Sequence, residues 1–319
     1  VRGRQAAWAQ PDIQKLAAKF VSATDEVWRL HHLKDPECEL FQTFMDKGIY
    51  AGRDGSTRQG IFAVAPSGVL LADVNTTRAE GMRAMLKKAL KAWEALPRAE
   101  RLLPFDPETR RKDIKCTENK FPSGGVALRA FVRDLPRRNL PQDWRSKAWN
   151  VDYAWFREGE LEGLMPARVR KKAKQAWPRP LVQRLARIHL LDYVRGQTTP
   201  HGKDHVHEAS LVTEVVKVKK KAVELRFSGE VRISSGAWSD TPDGSATRGV
   251  KVKLLGEAIY DRRLKRYTRF DLVAVGVRWG RTQFNFRQDD LAPSPIGWVF
   301  TLAPKDERVP PAHFGAYGW

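Results

Sequence analysis

From Glu208 to the end of the sequence the chain alternates between apolar and polar side chains over several runs. Val223, Leu225 and Phe227 stand against Glu224 and Arg226, Val250 and Val252 against Lys251 and Lys253, and Val273, Val275 and Val277 against Ala274, Gly276 and Arg278. A period of two places alternate side chains on opposite faces of a strand, so each run reads as a β-strand with one face turned to a core. Turn residues separate the runs, as in Ser234-Ser235-Gly236 and Thr241-Pro242-Asp243-Gly244. The pattern predicts a mainly antiparallel β domain over residues 201–319.

The front of the chain has a different grammar. Ile13, Leu16, Ala17 and Phe20 recur at helical spacing behind Pro11, which suits a first helical turn and predicts a helix over 11–19. Phe20-Val21-Ser22-Ala23-Thr24 reads as a short strand and 36–46 as a helix with Leu40, Phe41 and Phe44 on one side. Ile61–Val64 and Val69–Ala72 flank Ala65-Pro66-Ser67-Gly68, a hairpin with proline and glycine in its turn. Thr77-Arg78-Ala79-Glu80 has the spacing of a capping box. Met82, Met85, Leu86, Leu90, Trp93 and Leu96 follow as the apolar stripe of a helix over 77–96 that Pro97 ends. Residues 98–200 read as a connector. It carries one strand at Gly125–Arg133, an aromatic cluster around Trp144, Trp149, Tyr153, Trp155 and Phe156, and two basic helices at Met165–Ala176 and Arg179–Val194. The whole is an α+β protein in three parts, 1–97, 98–200 and 201–319.

The order strand 20–24, helix 36–46, hairpin 61–72 and helix 77–96 resembles the thioredoxin-like fold. Gly60-Ile61-Phe62-Ala63-Val64-Ala65-Pro66-Ser67-Gly68-Val69-Leu70-Leu71 looks like that family's late hairpin. The resemblance implies a thioredoxin-like α/β domain over about residues 10–96. It also implies that the Cys-x-x-Cys pair of the family is replaced by Asp25-Glu26-Val27-Trp28, and that Ser56-Thr57-Arg58-Gln59-Gly60 stands where the cis-proline would be. Such a module would not exchange dithiols in the family's manner, and the chain as a whole resembles bacterial proteins with a redox-inactive thioredoxin-like front. Residues 125–319 carry no family resemblance.

Lysine and arginine number 57 against 37 acids, a net charge of +20 over 319 residues, which points to an anionic polymer, an anionic surface or an acidic protein as partner. Arg168, Arg170, Lys171, Lys172, Lys174, Arg184 and Arg187 concentrate that charge and are the candidate anion-binding residues; Arg179 lies among them. Three of the seven histidines, His201, His205 and His207, fall within seven residues. On a strand His205 and His207 share a face, so with His201 they could hold zinc or copper; a solvated histidine-rich loop is the plainer alternative. His31-His32 diverge on a helix. Cys38 and Cys116 are the only cysteines and form one disulfide candidate; Cys38 lies between Glu37 and Glu39, which work against a reactive thiolate. Asp25 and Glu26 read as acids complementing a helix start, and Asp271 beside Arg269 as one half of an ion pair in an apolar strand. No nucleophile elbow, phosphate-binding glycine loop, dinucleotide fingerprint or helical zinc-protease motif is present, and no apolar run approaches the roughly 20 residues that cross a bilayer. Val1 in place of methionine suits an extracytoplasmic, periplasmic or secreted protein. The expected function is a non-catalytic binding or scaffold protein with a basic surface, and the alternative is a metal-binding enzyme or redox accessory protein built on the three histidines.

Overall fold

In the computed structural model residues 4–25, 27–53, 57–102, 117–138, 140–236 and 247–319 are described. Two compact units divide the chain near residue 116, the first running from Ala7 to Cys116 and the second from Thr117 to Trp319, with residues 4–6 assigned to the second. A single turn, α1 (Gln5–Trp8), falls where the assignment changes.

In the first unit α2 (Pro11–Ala17), α3 (Val27–His32) and α4 (Pro36–Phe44) precede the antiparallel pair β1 (Ile61–Val64) and β2 (Leu70–Val74) and the long helix α5 (Ala79–Ala95). Gly68 adopts a positive φ in the hairpin turn and donates to Ala65 O, which is why a glycine closes it. Asp35 caps α4 by accepting from the amides of Glu37 and Cys38. Met82, Met85, Leu86 and Ala89 of α5 are buried with Ile13 of α2 and with Ala63 and Ala72 of the hairpin, so the apolar stripe of the sequence is the seam of this core. The expected strand at Phe20–Thr24 does not form: β1 and β2 make a two-stranded sheet with no place for it, and Val21 is fully exposed. The expected capping box is also displaced. Helix α5 starts at Ala79, and it is Thr76 that accepts from the Arg78 amide.

The second unit is an eight-stranded antiparallel sheet in the order β4-β3-β10-β9-β8-β7-β6-β5, where β3 is Val126–Asp134, β4 Trp149–Phe156, β5 Lys174–Ala176, β6 Val206–Val218, β7 Ala222–Ser234, β8 Gly249–Asp261, β9 Arg266–Trp279 and β10 Ser294–Leu302. Three short helices, α6 (Trp144–Lys147), α7 (Glu158–Glu162) and α8 (Arg179–Arg184), lie between strands; α8 runs into a π-helical turn at Leu185–His189. Leu181, Val182, Leu185, Ala186, Leu190, Leu191, Tyr193 and Val194 are buried in one cluster with Phe227, Phe270, Trp298 and Phe300, so the segment 181–194 fills the inner face of the sheet. Burial of each such side chain contributes roughly 1.5–3 kcal/mol.

Four expectations change here. The stretch 98–200 is no connector, because it supplies β3, β4 and β5 and the segment that covers the inner face. Met165–Ala176 is not helical: Lys172 N donates to Val215 O and Val215 N to Ala173 O, so the chain after Pro166 is captured by the edge of β6 and continues as β5. Of Arg179–Val194 only 179–189 is helical. Finally, Val273 and Val275 face away from the core, while Phe270, Leu272 and Ala274 face into it. Within β9 the polar-looking positions are the inner ones.

Candidate functional site

The basic residues anticipated between 168 and 187 separate into two groups. Arg168, Arg170, Lys171, Lys172 and Lys174 are exposed and, among the described residues, none of them enters an ion pair. A turn fixes them: Ala173 N donates to Arg170 O at 2.9 Å and Lys172 takes φ +67, a left-handed conformation usually left to glycine. Lys172 N and Ala173 O both bond to Val215, which ties the C-terminal side of the turn to β6. Arg184 and Arg187 are different. Arg184 donates to both carboxylate oxygens of Glu160 at 2.7 and 2.8 Å and lies 4.6 Å over the Tyr317 ring, and Arg187 donates to His201 O at 3.0 Å. These two hold the fold together and leave the anion-binding set.

His201 and His205 come together, with 3.4 Å between their Nδ1 atoms, but His207 points elsewhere and meets Ser234 Oγ at 2.8 Å. His205 precedes β6, whose start is irregular between Val206 and Glu208, so the expected sharing of a strand face by His205 and His207 is lost. His205 Nδ1 accepts from Gly202 N and faces His201 Nδ1, which occupies the lone pair a metal would need. Burial, with the nearby charges of Arg248, His205 and Arg187, pushes the His201 imidazole down to about 3, so it is neutral in ordinary conditions. Among the described residues no group of three or more histidine, cysteine or carboxylate side chains is arranged to hold a metal ion, and the three-histidine zinc or copper centre is not assembled.

No protein-family model, curated protein or solved structure matches this chain.

The largest electrostatic feature escaped the sequence reading. At the end of the sheet where β3 and β9 finish and β10 starts, Arg195, Arg278 and Arg287 are completely buried among Asp134, Asp192 and Asp290. Arg287 donates to Asp134 at 2.6 and 2.9 Å, to Asp192 at 2.8 Å through two nitrogens, and to Asp290 at 2.9 Å. Arg195 reaches Asp134 and Asp290 at 2.9 Å, Arg278 reaches Asp290 at 2.5 Å, and half-buried Arg137 reaches Asp290 at 2.7 Å. Burial alone would raise the Asp290 carboxyl; the hydrogen bond from Arg137 and the charges of Arg278, Arg287 and Arg195 carry it well below the usual carboxylate range. Burial likewise favours loss of the proton from Arg287, and Asp192 and Asp134 reverse that and raise it. The network is a staple joining the end of β3, the segment 192–195 and the β9–β10 loop. The signal in the sequence was a charge inside an apolar run, as in Leu190-Leu191-Asp192-Tyr193-Val194 and Val277-Arg278-Trp279.

A second buried relay lies beside β4. Tyr317 Oη accepts from Trp155 N at 3.2 Å, which directs its own proton to His189 Nε2 at 2.6 Å. His189 Nδ1 then faces Asp152 Oδ2 at 3.6 Å, and Asp152 accepts from Ala312 N. All three side chains are set into the packing around Arg184 and Trp319, so the relay fixes residues 312–319 to the sheet. Asp271, on the outer face, pairs with Arg269 at 2.6 Å and is not buried.

In the first unit Asp25 pairs with Arg29, which is buried and also bound by Asp35 at 2.7 Å and Glu37 at 3.0 Å. Glu26 lies outside the described residues. Cys38 is a buried free thiol that donates to Arg29 O at 3.4 Å; burial and the hydrogen bond to Asp35 push it up to about 11, against nucleophilic chemistry. Its proposed bridge partner, Cys116, lies outside the described residues. His31 accepts from Arg58 N while His32 stacks on Trp28, so the two rings serve different neighbours. No helix among the described residues is long and apolar enough to cross a membrane.

Proposed function

We propose that this chain is a non-catalytic binding protein whose cationic segment, Arg168, Arg170, Lys171, Lys172 and Lys174, contacts an anionic polymer, with the first unit serving as scaffold. One observation carries the reading: five exposed cations without carboxylate partners stand on a turn hydrogen-bonded to a sheet edge. Ordinary surface lysines neutralise locally or spread out, whereas a fixed row of unpaired cations gives up condensed counterions only when a polyanion lies along it. The opposite disposition of Arg184 and Arg187, each engaged inside the fold, supports the division.

Binding of a labelled single-stranded oligonucleotide, used as a generic polyanion and followed by fluorescence anisotropy across a salt series, tests the reading. Replacing the five residues with serine should weaken binding at least tenfold and flatten the log–log salt slope by roughly 3, at about 0.7 per lost contact on a single strand. Equal affinity and slope in the two proteins would sink the proposal.

A further inference from the structure

The outer face of the large sheet is apolar along one line. Following the register from edge to edge, Val151, Phe131, Val299, Val273, Leu255, Ser228, Val212 and Ala176 stand in a single row across all eight strands. The middle of this row is open to solvent: Leu255 is 64% exposed, Val299 40% and Val273 38%, with Val275 beside them at 46%. Seven strand spacings make the row about 34 Å long. Four of its eight residues are β-branched, and an apolar line whose middle faces water on β10, β9 and β8 is more than the scattered apolar residues of a typical surface.

We propose that this face is the dimer interface of the protein, packed against a second copy about a two-fold axis that runs along the row. The charges flanking the row select this occupant. With the axis along the row, each strand lies over its own copy in the opposite direction, and a residue two places before the row lies over the residue two places after it. On β8 that sets Glu257 over Lys253 of the second copy, and on β7 it sets Arg226 over Glu230, which within its own chain already has Arg232 at 2.8 Å, so the β8 contact is the principal one. Both contacts are opposite in sign and each occurs twice by symmetry. On β9 Asp271 falls over Val275, and it already has Arg269 as partner. On β3 the two arginines 129 and 133 would meet, but Arg129 is already neutralised by Glu307. A polyanion or an anionic membrane fits poorly, because Glu257, Glu230 and Asp271 interrupt the positive charge. Aligned sheets of this kind pack about 10 Å apart, with side chains of the two faces interleaved.

Sedimentation equilibrium of the full chain, up to about 100 μM, tests the proposal with four proteins. The unmodified chain should be a dimer. Leu255→Asp, at an exposed position that leaves the core untouched, should be a monomer with an unchanged far-ultraviolet circular dichroism spectrum. Lys253→Glu should weaken association roughly a hundredfold by setting acid against acid twice. Lys253→Glu combined with Glu257→Lys should return it to within about threefold of the original, because the exchanged pair is again complementary across the axis. A monomeric unmodified chain overturns the proposal, and so does a dimer indifferent to Leu255→Asp or a double variant no better than Lys253→Glu.

Discussion

Arginine does opposite work in two regions of the second unit. At the end of the sheet Arg195, Arg278 and Arg287 are withdrawn from water and surrounded by three aspartates, whereas Arg168 and Arg170, with three lysines, stand in water beside β5 with no acid bound. A buried charge whose partner is removed is uncompensated in a medium of low dielectric, while a solvated charge loses little when its neighbours change. The difference teaches that charge in such a chain takes two forms: one fixes the fold, and the other stays in water.

The largest effect should come from the buried side. Arg287→Met leaves Asp134 and Asp192 short of their main donor and should cost about 3–5 kcal/mol in urea unfolding, while the five-serine variant of the turn stays within roughly 0.5 kcal/mol of the original. Equal losses in the two would erase the contrast. His201 sharpens it through pH. Its folded value near 3 lies below the ordinary 6.5, so the unfolded chain binds the proton more readily and stability falls as pH drops from 6.5 toward 3. Between pH 7 and pH 5 the loss should be about 2 kcal/mol, and His201→Gln should flatten the curve over that window; a curve unmoved by the substitution would take His201 out of the argument. Tyr317→Phe should cost about 1 kcal/mol, from the donor lost at His189 Nε2, with an accompanying rise in protease sensitivity of residues 312–319. The smallest effect belongs to Lys172→Gly. Relief of the left-handed backbone should offset much of the added chain entropy, so stability should shift by less than about 1 kcal/mol while polyanion binding weakens only slightly.

Strands β7, β8 and β9 were legible because alternation is a local property, and each of them runs for more than a dozen residues, whereas β4 was read only as a cluster of aromatics. The helix α5 was legible for the same reason at its own period. What the sequence concealed was set by partners far away. Lys174–Ala176 reads as helix by composition, and only the free edge of β6, some 40 residues on, makes it a strand. The inward side of β9 was misassigned because valines outrank alanine and glycine in any hydrophobicity reading, yet Ala274 and Gly276 sit where neighbouring strands leave the least room. The exposed members of the cationic site could be read directly as a run of basic residues, whereas the loss of Arg184 and Arg187 from it depended on Glu160 and on the backbone at His201. Apart from the short-range pairs of Asp290 with Arg287 and Arg278, the aspartate–arginine staple joins residues about 60 to 150 positions apart and has no local signature beyond a charge in apolar company.

The strand order also sets a timetable. Strands β6 to β10 form a meander in which each pairs with the next, but the β3–β4 hairpin joins the sheet only through β10, the last strand made. On a ribosome adding about 5–20 residues per second, the hairpin would wait on the order of 10–30 seconds for its neighbour, with the edge of β3 unpaired throughout. Synthesis of this chain thus passes through an interval in which its earliest sheet hydrogen-bonding groups are the last to be satisfied, the period when chaperones and aggregation compete for it.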